Sequence, residues 1–170
     1  GDGAGTDIAT AGGAPLLHFE EQIGTISTLS PGEAELKLDF ERFRGMYAGK
    51  GLESILIENG IQYDVRHTER EDTLDDIGRY RLLLLPFSYA MSADAFAKVK
   101  AAVDGGSKLL IYDQLAPADE FGNLHPEPLL KSLLGHPNVA FVERNLAVDG
   151  MRPTVRREAR EKMMGMLGDR

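Results

Sequence analysis

Residues 81–112, RLLLLPFSYAMSADAFAKVKAAVDGGSKLLIY, contain two short apolar runs separated by an amphipathic segment. The runs at 81–86 and 108–112 show no alternation of apolar and polar residues, which is typical of strands covered on both faces of a parallel sheet. Between them, Ser92 precedes apolar residues spaced three or four apart, and two glycines follow. The stretch therefore predicts a strand, a helix with Ser92 as its N-cap, and a second strand parallel to the first.

The same alternation of strands and helices extends over most of the chain, and no hairpin signal interrupts it. Further strands are predicted at 23–29, 61–67 and 139–142, and helices at 39–59 (ended by Gly60), 73–78 (N-capped by Thr73), 127–134 and 153–167. This order predicts an α/β fold with a mostly parallel central sheet and helices on both faces. Residues 1–22 are predicted to be a flexible N-terminal lead-in. Residues 23–170 are predicted to form a single domain, which would also fit a fragment of a larger protein.

Composition excludes several classes of function. The chain has 170 residues, of which 42% are hydrophobic and 27% charged, so it can form a folded domain with a real core. Its formal charge of −8 disfavours binding to nucleic acid or to an anionic membrane. The cations near the C-terminus are therefore predicted to line an exposed helix face, and Val155, Ala159, Met163 and Met166 to form a packing stripe. This stripe could also bury itself against a partner subunit. The absence of cysteine excludes disulfides, thiolate zinc sites and cysteine nucleophiles, and leaves the compartment open.

Four segments, taken in order, carry a resemblance to a known family. They are IGTISTL (23–29), RGMYAGKGLESILIENGIQYDV (44–65), RLLLLPFSYAMSADAFAKVKAAVDGG (81–106) and KLLIYDQLAPADEFGNLHPEPLLKSLLG (108–135). In this order they resemble the β-galactosidase trimerisation domain of glycoside hydrolase family 42. The resemblance implies a flavodoxin-like three-layer sandwich, related to the class I glutamine amidotransferase fold. The resemblance implies a domain that lacks the nucleophile and mediates contacts beside a catalytic barrel. The expected partners are other copies of the chain or a catalytic domain of the same parent protein, which could be a glycoside hydrolase.

The triplet His125-Pro126-Glu127 raises the question of amidotransferase chemistry. In class I amidotransferases such a triplet activates a catalytic cysteine on a sharp turn after a central strand. Here the corresponding turn, residues 112–114, reads Tyr-Asp-Gln and supplies no thiolate. The triplet also precedes the fifth predicted strand. We therefore interpret it as the start of a helix with Pro126 in its first turn, expect His125 to be structural, and predict no catalytic residue.

A small hydrolase or a sugar-binding domain is the alternative interpretation. Ligands of open α/β sheets bind beyond the carboxyl ends of the strands, so the loops after residues 86 and 112 are the candidate site. The candidate ligand-binding residues are Ser88, Tyr112, Asp113, Gln114, Asp119 and Glu120. No G-x-S-x-G elbow supports a serine nucleophile, and glycosidase carboxylates need a fixed separation. A deep pocket joining Asp113, Ser88 and a histidine would favour the hydrolase.

No cofactor or metal site is predicted. The four histidines show no H-x-x-x-H spacing, and the acidic segment 69–76 lacks the glycine and terminal glutamate of an EF-hand. The terminal GDGAGT is not a G-x-G-x-x-G motif and follows no strand. The acidic segment is therefore expected to be a solvated loop and helix start.

Overall fold

A computed structural model of the protein describes residues 14–20, 52–143 and 153–168. In these ranges, five strands form one sheet in the order β2-β1-β3-β4-β5, and every pairing is parallel. The strands are β1 (Leu16–Glu20), β2 (Tyr63–His67), β3 (Leu82–Leu85), β4 (Lys108–Tyr112) and β5 (Val139–Val142), and the helices are α1 (of which residues 52–58 are described), α2 (Ala93–Asp104) and α3 (Pro153–Leu167). This strand order is that of flavodoxin-like doubly wound sheets.

Helices cover both faces of the sheet. Because side chains alternate along a strand, Leu82 and Leu84 point to one face and Leu83 and Leu85 to the other. The first face packs against α1 and α3, and the second against α2 and several short 3-10 turns. All four leucines are fully buried, so the predicted three-layer sandwich and the parallel strand at 81–86 are confirmed. Among the described helices, none is long and apolar enough to cross a membrane.

The central strand β1 was not predicted, because residues 1–22 were expected to be a flexible lead-in. Leu16–Glu20 instead pairs with β2 on one side and β3 on the other, and Leu16, Leu17 and Phe19 are buried. The lead-in prediction is therefore wrong for these five residues. Its sequence, LLHFE, includes a histidine and a glutamate and lacks the unbroken apolar run of β3, so the strand is defined here by its two neighbours. The predicted strand at 23–29 and the predicted helix before residue 52 lie outside the described residues.

Three local predictions are confirmed. The Ser92 hydroxyl accepts a hydrogen bond from the Ala95 N–H at 3.1 Å, so Ser92 is the N-cap of α2. Gly60, with φ +64°, follows the end of α1 in a left-handed conformation. In α3, Ala159 and Met163 are buried against the sheet, whereas its described cations lie on the exposed side.

Two predicted short helices are instead 3-10 turns. The first, expected at 73–78, is replaced by turns at Glu71–Thr73 and Ile77–Arg79, and the Thr73 hydroxyl donates to the Arg70 carbonyl. The second, expected at 127–134, is a turn at Leu129–Leu133. The placement of Pro126 in a helical first turn is therefore wrong. Pro128 explains the delay, because a proline disfavours the α conformation of the residue before it.

Candidate functional site at the carboxyl edge of the sheet

The turn after β4 holds a strained residue. Asp113 has φ +74°, and the Gln114 N–H donates to the Tyr112 carbonyl at 2.9 Å, which closes a γ-turn around it. The Asp113 N–H donates to the Val142 carbonyl at 3.0 Å and ties the turn to β5. Positive φ is uncommon outside glycine and often marks functional turns, although aspartate tolerates it better than most residues. The predicted site residues Tyr112, Asp113 and Gln114 thus lie together at the carboxyl edge.

The loops after β3 and β4 are joined by backbone hydrogen bonds. The Ala116 N–H donates to the Ser88 carbonyl at 2.7 Å, and the Ala118 N–H to the Tyr89 carbonyl at 3.0 Å. In return, the Met91 N–H donates to the Ala118 carbonyl at 2.9 Å. These bonds continue the pairing of β3 with β4 beyond the ends of the strands. Ser88, another predicted site residue, is buried beneath them.

His125 links the same two loops. Its Nε2 lies 3.0 Å from the Met91 carbonyl, and its backbone N–H donates to the Pro117 carbonyl at 2.9 Å. Both contacts are with the backbone. This geometry supports the expectation that His125 is structural. The histidine joins two loops and does not cap a helix.

Asp119 and Glu120 lie in a small hairpin, residues 118–124, that the sequence analysis missed. Asp119 and Asn123 face each other, the Gly122 N–H donates to the Asp119 carbonyl, and Gly122 has φ +89°. The Asp119 Oδ1 also accepts hydrogen bonds from the N–H groups of Phe121 and Asn123, both at 2.9 Å. Aspartate at the first position of a tight turn and glycine at the fourth are typical of such turns, so the signal was present in DEFG.

The tip of this hairpin carries exposed apolar side chains. Phe121 is 66% exposed and Leu124 70% exposed. Glu120 and Asn123, which flank Phe121, are also exposed. None of the sequence patterns singled out Phe121.

A second polar cluster surrounds Tyr80, beside β2. The Tyr80 hydroxyl donates to Asp64 at 2.6 Å and accepts from Arg79 at 2.8 Å, and the Arg79 guanidinium lies 4.7 Å from the ring centre. Arg66 binds Asp76 at 2.7 Å, and this hydrogen bond lowers the pKa of the Asp76 carboxyl. Burial, followed by the bond to Asp64, raises the pKa of Tyr80. These groups satisfy one another, so the cluster is best explained as structural.

Two depressions lined by described residues lie away from the loops after β3 and β4. One, of about 560 Å³, is lined by Ala14 and residues 61–64, and the other, of about 240 Å³, lies between the segment 74–78 and α2. Within the described ranges, no group of three or more His, Asp or Glu side chains could hold a metal ion.

Comparison with known proteins shows the fold alone. No family model and no curated protein matches the chain. One similar structure is the β-galactosidase from Bifidobacterium adolescentis, with a TM-score of 0.52 and 15% sequence identity. The match covers 72% of the present chain and 54% of the β-galactosidase chain. Gan42B, a GH42 β-galactosidase, has a TM-score of 0.39 and 18% identity over 66% of this chain and 15% of its own. The first likeness shows a shared α/β fold, and the second is too weak to carry an argument.

Proposed function

We propose that this chain is a non-catalytic accessory domain of a carbohydrate-active protein related to the GH42 β-galactosidases, where it holds subunits or domains together. The observation that carries the proposal is the packing of the carboxyl edge. Enzymes with open α/β sheets bind substrates there, between the loops that follow the strands. In this protein the loops after β3 and β4 are bonded to each other through Ala116, Ala118 and Met91.

The turn at Asp113 supports membership of the amidotransferase-like superfamily without its chemistry. A strained turn after a central strand is where such enzymes present their nucleophile, and here the turn presents a carboxylate. The fold likeness to the Bifidobacterium adolescentis enzyme supports the link to β-galactosidases. The four sequence segments that together resemble the trimerisation domain support the assembly role.

The proposed partners are other copies of the chain or a catalytic domain of the same parent protein. The matched part of this chain spans about half of the β-galactosidase chain that it resembles. The described face of α3 that carries Ala159 and Met163 packs into the chain's own core. A contact with a partner would therefore use other surfaces than this stripe.

The proposal is tested with the purified chain and the variant Asp113→Asn. Asparagine tolerates a positive φ, so the variant retains the turn while losing the charge. Hydrolysis of glutamine and of nitrophenyl β-galactoside is measured for both proteins, and light scattering gives the mass over a range of concentrations. We expect no turnover above background and a mass of more than one chain. Turnover that Asp113→Asn abolishes would overturn the non-catalytic role, and a strict monomer would overturn self-association.

A further inference from the structure

The hairpin 118–124 presents an aromatic ring to solvent on a rigid support. Phe121 is 66% exposed and Leu124, on the same hairpin, is 70% exposed. Exposed apolar side chains are common, and Phe121 differs from most of them in offering a flat aromatic ring to a ligand. Hydrogen bonds from Asp119, Gly122 and Asn123 hold the tip in one conformation. A ligand that binds there loses little free energy to ordering the protein.

The groups around the ring indicate the chemistry of the ligand. Glu120 and Asn123, which lie within two residues of Phe121 in the chain, are exposed, so a carboxylate acceptor and an amide that both donates and accepts are available near it. A pyranose has the matching features. One face carries C–H groups that pack on the electron-rich face of an aromatic ring, and its rim carries hydroxyls that donate and accept hydrogen bonds.

The local charge restricts the ligand further. The hairpin itself, residues 118–124, contains no lysine or arginine, and its charged residues are Asp119 and Glu120. Such a field repels phosphorylated, sulfated or uronic sugars.

We propose that residues 119–123 form a surface site for a neutral saccharide, in which Phe121 stacks on a pyranose ring and Glu120 and Asn123 bind its hydroxyls. The choice of saccharide as ligand class rests partly on the proposed function. One open ring face without an enclosing pocket gives weak binding, with a dissociation constant on the order of 1 mM. Such a site would hold an oligosaccharide near a catalytic partner and would not itself act on it.

The test is a titration of the full 170-residue chain with galactose, lactose and cellobiose, followed by the amide NMR signals of the hairpin. We expect saturable shifts at Phe121, Gly122 and Asn123. Phe121→Ala should weaken binding at least tenfold, and Phe121→Trp should retain it, because tryptophan restores the stacking face. Ile57→Ala, which removes an equally exposed apolar side chain from α1, is the matched control and should bind as the wild type does. Galactose 6-phosphate should bind more weakly than galactose.

Three results would overturn the inference. The first is no saturable shift with any of these sugars up to about 100 mM, far above the expected dissociation constant. The second is binding that Phe121→Ala leaves unchanged. The third is a change of mass in Phe121→Ala and Leu124→Ala by light scattering without saccharide shifts, which would make the hairpin a protein contact. If no saccharide binds but the chain still forms a multimer, only the saccharide inference fails and the proposed assembly role stands. If the chain hydrolyses either test substrate, the non-catalytic role fails, but saccharide binding at Phe121 is not affected.

Discussion

Two polar regions of this protein are held together by different kinds of bonds. Around Tyr80, the contacts join side chains: a phenol, guanidinium groups and carboxylates. At the carboxyl edge, the loops after β3 and β4 are joined mainly through backbone N–H and carbonyl groups, with His125 adding one bond. The first region therefore depends on the identity and charge of particular residues. The second depends more on backbone conformation.

The sharpest test of this comparison is Tyr80, because it is the centre of the side-chain cluster and is fully buried. Tyr80→Ala should lower the free energy of unfolding by about 3–5 kcal/mol, since it leaves a cavity and strands the polar partners. Tyr80→Phe keeps the ring and should cost on the order of 1 kcal/mol. Urea denaturation followed by circular dichroism measures both. Equal losses would show that the hydroxyl bonds, rather than the ring, dominate the cluster.

At the carboxyl edge, stability should be most sensitive to a substitution that disturbs the backbone conformation, and Gly122 is the test position. Gly122→Ala places a Cβ on a residue with φ +89° and should cost about 1–2 kcal/mol. Gly135→Ala is the control, because a Cβ there meets nothing within 4 Å and needs no left-handed backbone. The same denaturation experiment compares them. If both substitutions cost the same, the turn conformation does not hold the hairpin.

His125→Ala should have a smaller effect than Gly122→Ala. It removes one bond to the Met91 carbonyl, beside backbone bonds that remain, and should cost about 1 kcal/mol or less. We expect no change in any activity of the parent protein. A loss above about 3 kcal/mol would contradict the picture of a backbone-held edge, because one neutral hydrogen bond does not contribute that much.

The smallest effect concerns pH. The Arg66 bond keeps the pKa of Asp76 below its usual 3.8, so the stability that this ion pair adds is present above pH 3.8 and is lost as pH falls through the lowered value. The free energy of unfolding of Asp76→Asn should therefore fall less than that of the wild type as the pH is lowered. Asp76 is 52% exposed, so the difference at neutral pH should be only a few tenths of a kcal/mol. Asp72→Asn, at a more exposed carboxylate, is the control for denaturation across pH 2–7. A steeper acid loss in Asp76→Asn would contradict this assignment.

Local patterns predicted α2, β3 and β4 well, because each has its own periodicity and end signals. Ser92 marks the start of α2 and Gly105-Gly106 mark its end, and the unbroken leucine run identifies β3. The loops were predicted less well. Pro128 delayed the short turn that was expected to be a helix, and the DEFG turn signal was present but was not recognised.

Of the candidate site, the sequence indicated the edge of the sheet but not its arrangement. Asp113 and Ser88 were both expected in loops at the carboxyl ends of strands, and both lie there. That Ser88 is buried, with its carbonyl bonded to the Ala116 N–H, could not be predicted, because this depends on how the two loops pack against each other. Ligand binding by the six predicted residues stays a prediction.

By itself, the sequence determined the α/β class, the mostly parallel sheet, the elements β3, α2 and β4, and the absence of a thiol at the turn after β4. These follow from local spacing and residue type. Only the tertiary structure decided that Leu16–Glu20 is a central strand and that Tyr80 meets Asp64. The physical reason is that each of these features needs partners distant in the chain. A short strand, or a buried phenol, acquires its structure from the neighbours that the fold brings to it.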